Sequence, residues 1–171
     1  MIHLYCGDGK GKTTAAVGLT VRAAGSGKKV LFVQFLKGRP SGELKVLESL
    51  ECVTVVRGSQ KEKFTFQMNS EERAAAAAAE ARLLDSLEAV ISLEDPAMVV
   101  LDEIVTAVER GMLSEEKVRS LVSSFPKEKE LVLTGARPES WMVGAADYVT
   151  DMEKIRHPFD RGIPAREGVE Y

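Results

Sequence analysis

Long apolar runs are missing from this 171-residue sequence. None approaches the ~20 residues that a helix needs to cross a bilayer, so a membrane-spanning chain is excluded. The start, Met1-Ile2-His3-Leu4-Tyr5, lacks the charged flank and extended apolar stretch of a secretory signal, and a cytoplasmic location is expected. Cysteine is scarce. Cys6 and Cys52 both lie in apolar, strand-like stretches, which suits reduced core thiols better than a disulfide or a metal pair. An excess of basic charge is missing too: 23 Lys and Arg stand against 26 Asp and Glu, a formal charge of -3. Nucleic acid is therefore a poor partner, because its affinity comes largely from Lys and Arg neutralising phosphates.

What is present is ordinary for a soluble domain, with 44% hydrophobic and 29% charged residues. The length suits a single domain over 1–171 that buries its apolar surface in one core. Short β-rich apolar runs alternate with longer helical ones, the pattern of an α/β protein whose mostly parallel sheet is flanked by helices. Strands are expected at 2–6, 30–36, 53–57, 97–101, 131–134 and 148–150. Most are continuous apolar runs, as befits strands buried on both faces. Helices are expected at about 12–25, 42–50, 70–93, 114–124 and 138–144. The third contains six consecutive alanines, Ala74 to Ala79, strong helix formers small enough to pack closely on a sheet. Asn69 or Ser70 can cap it, and Ser114 opens the fourth. Loops long enough for chemistry remain at 37–43, 57–69 and 102–113, with an irregular C-terminal flap over 151–171.

Between the first strand and the first helix runs Gly7-Asp8-Gly9-Lys10-Gly11-Lys12-Thr13-Thr14. Glycines there let backbone N–H groups turn towards phosphate oxygens, and the helix N-terminus adds partial positive charge. Lys12 supplies an ammonium for the phosphates, and Thr13 a hydroxyl for magnesium (or manganese). The usual phosphate loop has glycine five residues before Gly11, where this chain has Cys6. The loop is one residue tighter at its start and could seat the phosphates differently.

Leu101-Asp102-Glu103 ends a buried apolar run, where a P-loop enzyme keeps its metal-side carboxylates. Glu103 is expected either to touch the metal through water or to polarise an attacking water. Motif chemistry alone leaves three readings. The chain hydrolyses or transfers the γ-phosphate of ATP, it grips the triphosphate as a leaving group during attack elsewhere on ATP, or it is a regulatory nucleotide-binding module.

Further segments carry a resemblance. They are GDGKGKTTAA at 7–16, RAAGSG at 22–27, VQFLKG at 33–38, Gly42-Glu43, Phe64-Thr65-Phe66, LDEI at 101–104 and LTGARP at 133–138. ADYVTDM at 146–152 and RHPFDRGIPAREGVEY at 156–171 complete the set. In this order they resemble the P-loop ATP:corrinoid adenosyltransferases, which attach adenosine to the cobalt of vitamin B12 precursors such as cobalamin and cobyrinic acid diamide. That family shares the tightened loop. The resemblance implies a RecA-like P-loop fold and attack by cobalt(I) of the corrinoid on C5′ of ATP, with triphosphate released.

Carried over residue by residue, the resemblance places residues 7–14 on the phosphates, and Thr13 and Glu103 on the metal. Arg22, Lys37 and Arg137 match basic positions near the nucleotide. Phe64 and Phe66 match a Phe-Thr-Trp segment over the corrin face, where aromatics exclude the lower axial ligand of cobalt(II); Phe66 replaces the tryptophan. The resemblance also implies a flavoprotein reductant and a homodimer. Larger members carry an N-terminal extension that closes over the site. Its absence here leads to the expectation of a more open pocket, or of a dimer partner that completes it.

Overall fold

Runs rich in Val, Leu and Ile form β1 (Ile2–Cys6), β2 (Val30–Gln34), β3 (Val53–Arg57), β4 (Met98–Asp102), β5 (Glu130–Thr134) and β6 (Tyr148–Asp151). The structure is a computed structural model that describes residues 1–38, 41–58 and 68–170. Phe64 and Phe66 lie outside the described residues. The strands join one parallel sheet in the order β3-β2-β4-β5-β1-β6. β5 thus separates the strand that feeds the phosphate loop from the strand that ends in Asp102.

Alternation along the strands explains why their sequences are apolar throughout. Val30, Phe32, Met98, Val100 and Val132 point to one face, where they pack with Ala16, Ala23, Leu44 and Leu47 of α1 (Lys12–Gly25) and α2 (Gly42–Leu47). Leu31, Val33, Val99, Leu101, Leu131 and Leu133 point to the other. That face is covered by α3 (Ser70–Glu94), α4 (Ile104–Glu109), α5 (Glu115–Ser124) and α6 (Ser140–Ala145). Among the described residues, no helix is long and apolar enough to cross a membrane.

The 25-residue α3 begins with a reciprocal cap. Asn69 Oδ1 accepts from Glu72 N at 2.8 Å, and the Glu72 carboxylate accepts from Asn69 N at 3.1 Å. Its buried stripe is Ala76, Glu80, Leu83, Leu84 and Leu87, at helical spacing. Of the alanine run only Ala76 is buried, while Ala74, Ala75 and Ala78 are exposed. The run therefore serves helix propensity more than the close packing expected of it.

Most boundaries fall within two residues of expectation, and three departures are larger or of another kind. β2 stops at Gln34 rather than 36, because Leu36 turns out of the sheet with φ 61°. α2 ends at Leu47 rather than 50. The segment 102–113, expected as loop, contains α4, whose residues are buried from Ile104 to Val108 and so show no amphipathic period. After Asp151 the described tail is irregular apart from a 3-10 turn at Pro158–Arg161.

Candidate active site

β1 runs straight through the position where the loop would otherwise begin. Cys6 is a strand residue paired with Asp151, buried, with its Sγ donating to Thr150 O at 3.6 Å. Burial and the nearby Asp151 carboxylate push its thiol pKa up, against the opposing pull of Lys12. It is a packing residue, and the loop starts only at Gly7. That is the structural form of the tightened spacing.

Two glycines of the loop are required by the chain behind it. Gly7 has φ 100°, and a Cβ there would lie 2.2 Å from Asp151 Oδ1 and 2.5 Å from Met152 O. A Cβ on Gly9 would lie 2.5 Å from Met152 O and 2.9 Å from the Glu153 carbonyl carbon. The backbone after β6 is laced to the loop: Gly9 N donates to Met152 O at 2.6 Å and Met152 N to Cys6 O at 2.9 Å. Lys154 N donates to Asp8 Oδ1 at 2.9 Å, and chiefly this bond holds the exposed Asp8 carboxyl below its usual pKa. Asp8 therefore fastens the loop to the tail.

The first intrahelical bond of α1 runs from Ala15 N to Gly11 O, which leaves the N–H groups from Gly11 to Thr14 ahead of it. They open on a cleft of about 480 Å³ whose wall includes Lys10, Lys12, Thr13, Thr14 and Glu103, with tail residues Gly168, Val169 and Glu170. Lys12 Nζ donates to Gly7 O at 2.8 Å and Gly9 O at 2.7 Å, so the ammonium is held inside the loop.

Asp102 is the polar hub. It is fully buried, and it lies on the α1 face by strand alternation with Met98 and Val100. Gln34 and Thr134 end β2 and β5 on that same alternation, so the strand ends converge. Asp102 Oδ1 accepts from Thr13 Oγ1 at 2.9 Å and from Thr134 Oγ1 at 2.7 Å. Its Oδ2 accepts from Gln34 Nε2 at 3.2 Å and Lys37 Nζ at 2.9 Å. Lys37 Nζ also donates to Thr13 Oγ1 at 2.7 Å. Burial pulls the Lys37 pKa down, but the charges of Asp102, Glu103 and Glu43 and the bond to Asp102 outweigh it and leave the pKa raised. Glu103 sits one step further out with φ 63°, its N–H donating to Thr134 Oγ1 at 2.8 Å, and its residue borders the cleft.

Two basic residues are not brought to this cluster. Arg22 is exposed at the last turn of α1, ten residues beyond Lys12 and so on the order of 15 Å along the helix axis. Arg137, with its side chain 84% exposed, pairs with Glu109 at 3.2 Å. Asp102 was named only beside Glu103, to which the metal role was given, and Gln34, Thr134 and the 151–154 backing strap were not singled out by residue type. Period-2 alternation marks the first three, since each is the polar end of an apolar strand face.

A phosphate loop at the mouth of a parallel sheet, its Thr13 hydroxyl bonded to the Asp102 carboxylate across β5, defines a P-loop nucleotide-binding fold. A KaiC-like protein from Pyrococcus horikoshii shares that fold, with a TM-score of 0.56 over 89% of this chain and 71% of the other at 17% identity. The chain belongs to the family described as ATP:corrinoid adenosyltransferase BtuR/CobO/CobP, whose model matches residues 1–171. Corrinoid adenosyltransferase CobA of Salmonella typhimurium is 35% identical over all of this chain and 85% of its own. The corrinoid adenosyltransferase of Escherichia coli is 33% identical with the same coverage. An uncharacterised Nostoc protein is 32% identical over 92% of this chain and 44% of its own. The family is one of enzymes, and its substrates are ATP and a corrinoid.

Proposed function

We propose that this enzyme transfers the 5′-deoxyadenosyl group of ATP to the cobalt(I) of a corrinoid. Cobalt(I) gives its electron pair to C5′ and becomes cobalt(III). The C5′–O5′ bond breaks, and its electrons leave on triphosphate. No proton is removed, so no general base is required. The demand on the protein is to stabilise charge growing on the leaving oxygen and to hold C5′ in line. Lys12, the N–H groups at the start of α1 and Lys37 supply that stabilisation.

The observation that carries the reading is the cluster of Lys12, Thr13, Lys37 and Asp102 at the end of a sheet in a chain of this family. Its cations and N–H groups border the cleft and suit a polyphosphate, while Asp102 is turned towards Thr13 and occupied by four donors. The Thr13 hydroxyl and Asp102 carboxylate fit magnesium, which prefers hard oxygens and takes its remaining ligands from water and phosphate. Both oxygens already receive the cationic head of Lys37. Thr13 and Asp102 would hold the ion, with Glu103 behind it, and bound magnesium would neutralise charge on the triphosphate. Gly7, Asp8, Gly9, Lys10, Gly11 and Thr14 complete the phosphate seat. Phe64 and Phe66 are assigned to the corrin face through the family segment they match. We also assign the enzyme to the cytoplasm as a homodimer served by a flavoprotein reductant.

The test is anaerobic incubation with ATP and a chemically reduced cobalt(I) corrinoid. The reading expects a light-sensitive cobalt–carbon product that forms only when both substrates and the protein are present. A corrinoid spectrum unchanged over many enzyme equivalents would contradict it.

A further inference from the structure

The ammonium of Lys37 stands on the oxygens assigned to the metal. It reaches Thr13 Oγ1 at 2.7 Å and Asp102 Oδ2 at 2.9 Å, bridging the hydroxyl and the carboxylate from the cleft side. The backbone places it there by a built turn. Leu36, a non-glycine residue, takes the left-handed region with φ 61°, and its N–H donates to Oε1 of the buried Glu80 at 3.3 Å. Lys37 N donates to Phe35 O at 2.7 Å, and Arg57 Nη2 donates to Lys37 O at 2.8 Å. Two neighbouring elements, α3 and β3, together with a bond inside the turn, thus fix the turn that aims one lysine at the hub.

Charge gives that aim a consequence. Asp102, Glu103 and Glu43 all act on Lys37, and Glu43 and Glu103 border the same cleft. Without the lysine, the Asp102 carboxylate and Thr13 hydroxyl, in a field made more negative by Glu103 and Glu43, would attract a divalent ion from solution. With it, one positive charge is tethered where the ion would sit, and an ammonium and a divalent cation repel each other at that spacing.

We propose that Lys37 reserves the metal pole, so that the divalent ion enters only together with the polyphosphate. The phosphate oxygens complete the ion's shell and give the Lys37 ammonium a new partner as it leaves Asp102. Lys37 is then a cation that the bound triphosphate displaces and recruits in one step. This rests on the reading of Thr13 and Asp102 as the metal pole.

Manganese binding followed by the electron paramagnetic resonance of the free ion tests it without turnover. In nucleotide-free protein, Lys37→Met should bind manganese at least about tenfold tighter than the unsubstituted chain, because a unit positive charge is removed from about 4 Å away. Lys37→Arg should stay at the unsubstituted value. With inorganic triphosphate as probe and magnesium present, Lys37→Met should bind more weakly than the unsubstituted chain. If Lys37→Met does not fold, the unsubstituted chain still decides, since micromolar manganese binding without nucleotide contradicts the proposal. Equal nucleotide-free affinities in Lys37→Met and the unsubstituted chain, with ATP still promoting metal binding, would overturn the role of Lys37 alone. No manganese binding by the unsubstituted chain even with ATP would overturn the metal-pole reading itself.

Discussion

The Thr13 hydroxyl donates to the Asp102 carboxylate across 2.9 Å, joining the first turn of α1 to the end of β4. Through that bond the phosphate loop is held against the sheet, and the same carboxylate also accepts from the ends of β2 and β5. One buried charge therefore sets the relative position of three strand ends and the loop.

Asp102 should be costly to remove. Asp102→Ala leaves the donors of Thr13, Thr134, Gln34 and Lys37 facing a cavity and is expected to destabilise the fold by on the order of 3 kcal/mol. Asp102→Asn keeps the shape and should cost less in stability while still weakening metal-dependent nucleotide binding. Urea denaturation and calorimetry with magnesium–ATP measure the two effects. Equal stability in Asp102→Ala and the unsubstituted protein would contradict the hub.

The glycines should separate sharply by position. Gly9→Ala drives a methyl into the Met152 and Glu153 backbone and is expected to spoil nucleotide binding by displacing either loop or strap. Gly18 lies inside α1 with nothing within 4 Å of its would-be Cβ, and Gly18→Ala should stabilise by up to about 1 kcal/mol through helix propensity. Melting curves and nucleotide titrations of both variants give the comparison. A Gly9→Ala protein that binds ATP normally would show that the strap does not shape the loop.

Much of this architecture was legible in the sequence, for stated reasons. Strands buried on both faces read as unbroken apolar runs, and Ser114 and Asn69 cap the helices they precede. α4 was hidden because burial on every side removes the helical period. The sequence also drew attention to Glu103, whereas the carboxylate that meets Thr13 is Asp102. Adjacent carboxylates look alike as residue types, and only alternation from Met98 and Val100 places Asp102 on the α1 face. Contacts that depend on distant backbone, such as Met152 O on Gly9 N, leave no signal in composition or spacing.

Lys12→Ala should fold and lose about 10²–10³-fold in turnover, the scale of removing one preorganised charge-stabilising donor. Lys12 is partly exposed in the loop and, among the described residues, its ammonium bonds loop carbonyls, so stability should change little. Circular dichroism with single-turnover rates checks both halves. A folded Lys12→Ala enzyme at the unsubstituted rate would remove the residue from the mechanism.

The tail turn carries a pH signature. Arg166 donates to both carboxylate oxygens of Glu170, through its side chain at 3.0 and 3.2 Å and its N–H at 2.8 Å. These bonds, side chain first, lower the Glu170 pKa to about 2 from 4.5. A depressed carboxylate stabilises the turn fully above the unfolded value, and that contribution fades as pH falls from about 4.5 towards about 2. Carboxyl-carbon NMR should follow Glu170 titrating near 2, and distinctly higher in Arg166→Ala, which loses the side-chain donors but keeps the N–H. An ordinary value in the unsubstituted chain would mean the turn does not persist in solution.

The most direct test of adenosyl transfer is the identity of the inorganic product. Purified protein, ATP, magnesium and cobalt(I) corrinoid are combined without oxygen, and the phosphorus species are separated and quantified against adenosyl-corrinoid formed. Cleavage at C5′ predicts one triphosphate for each adenosyl group transferred. Corrinoid-dependent ADP and phosphate in place of triphosphate would place cleavage at the γ-phosphate and contradict the account.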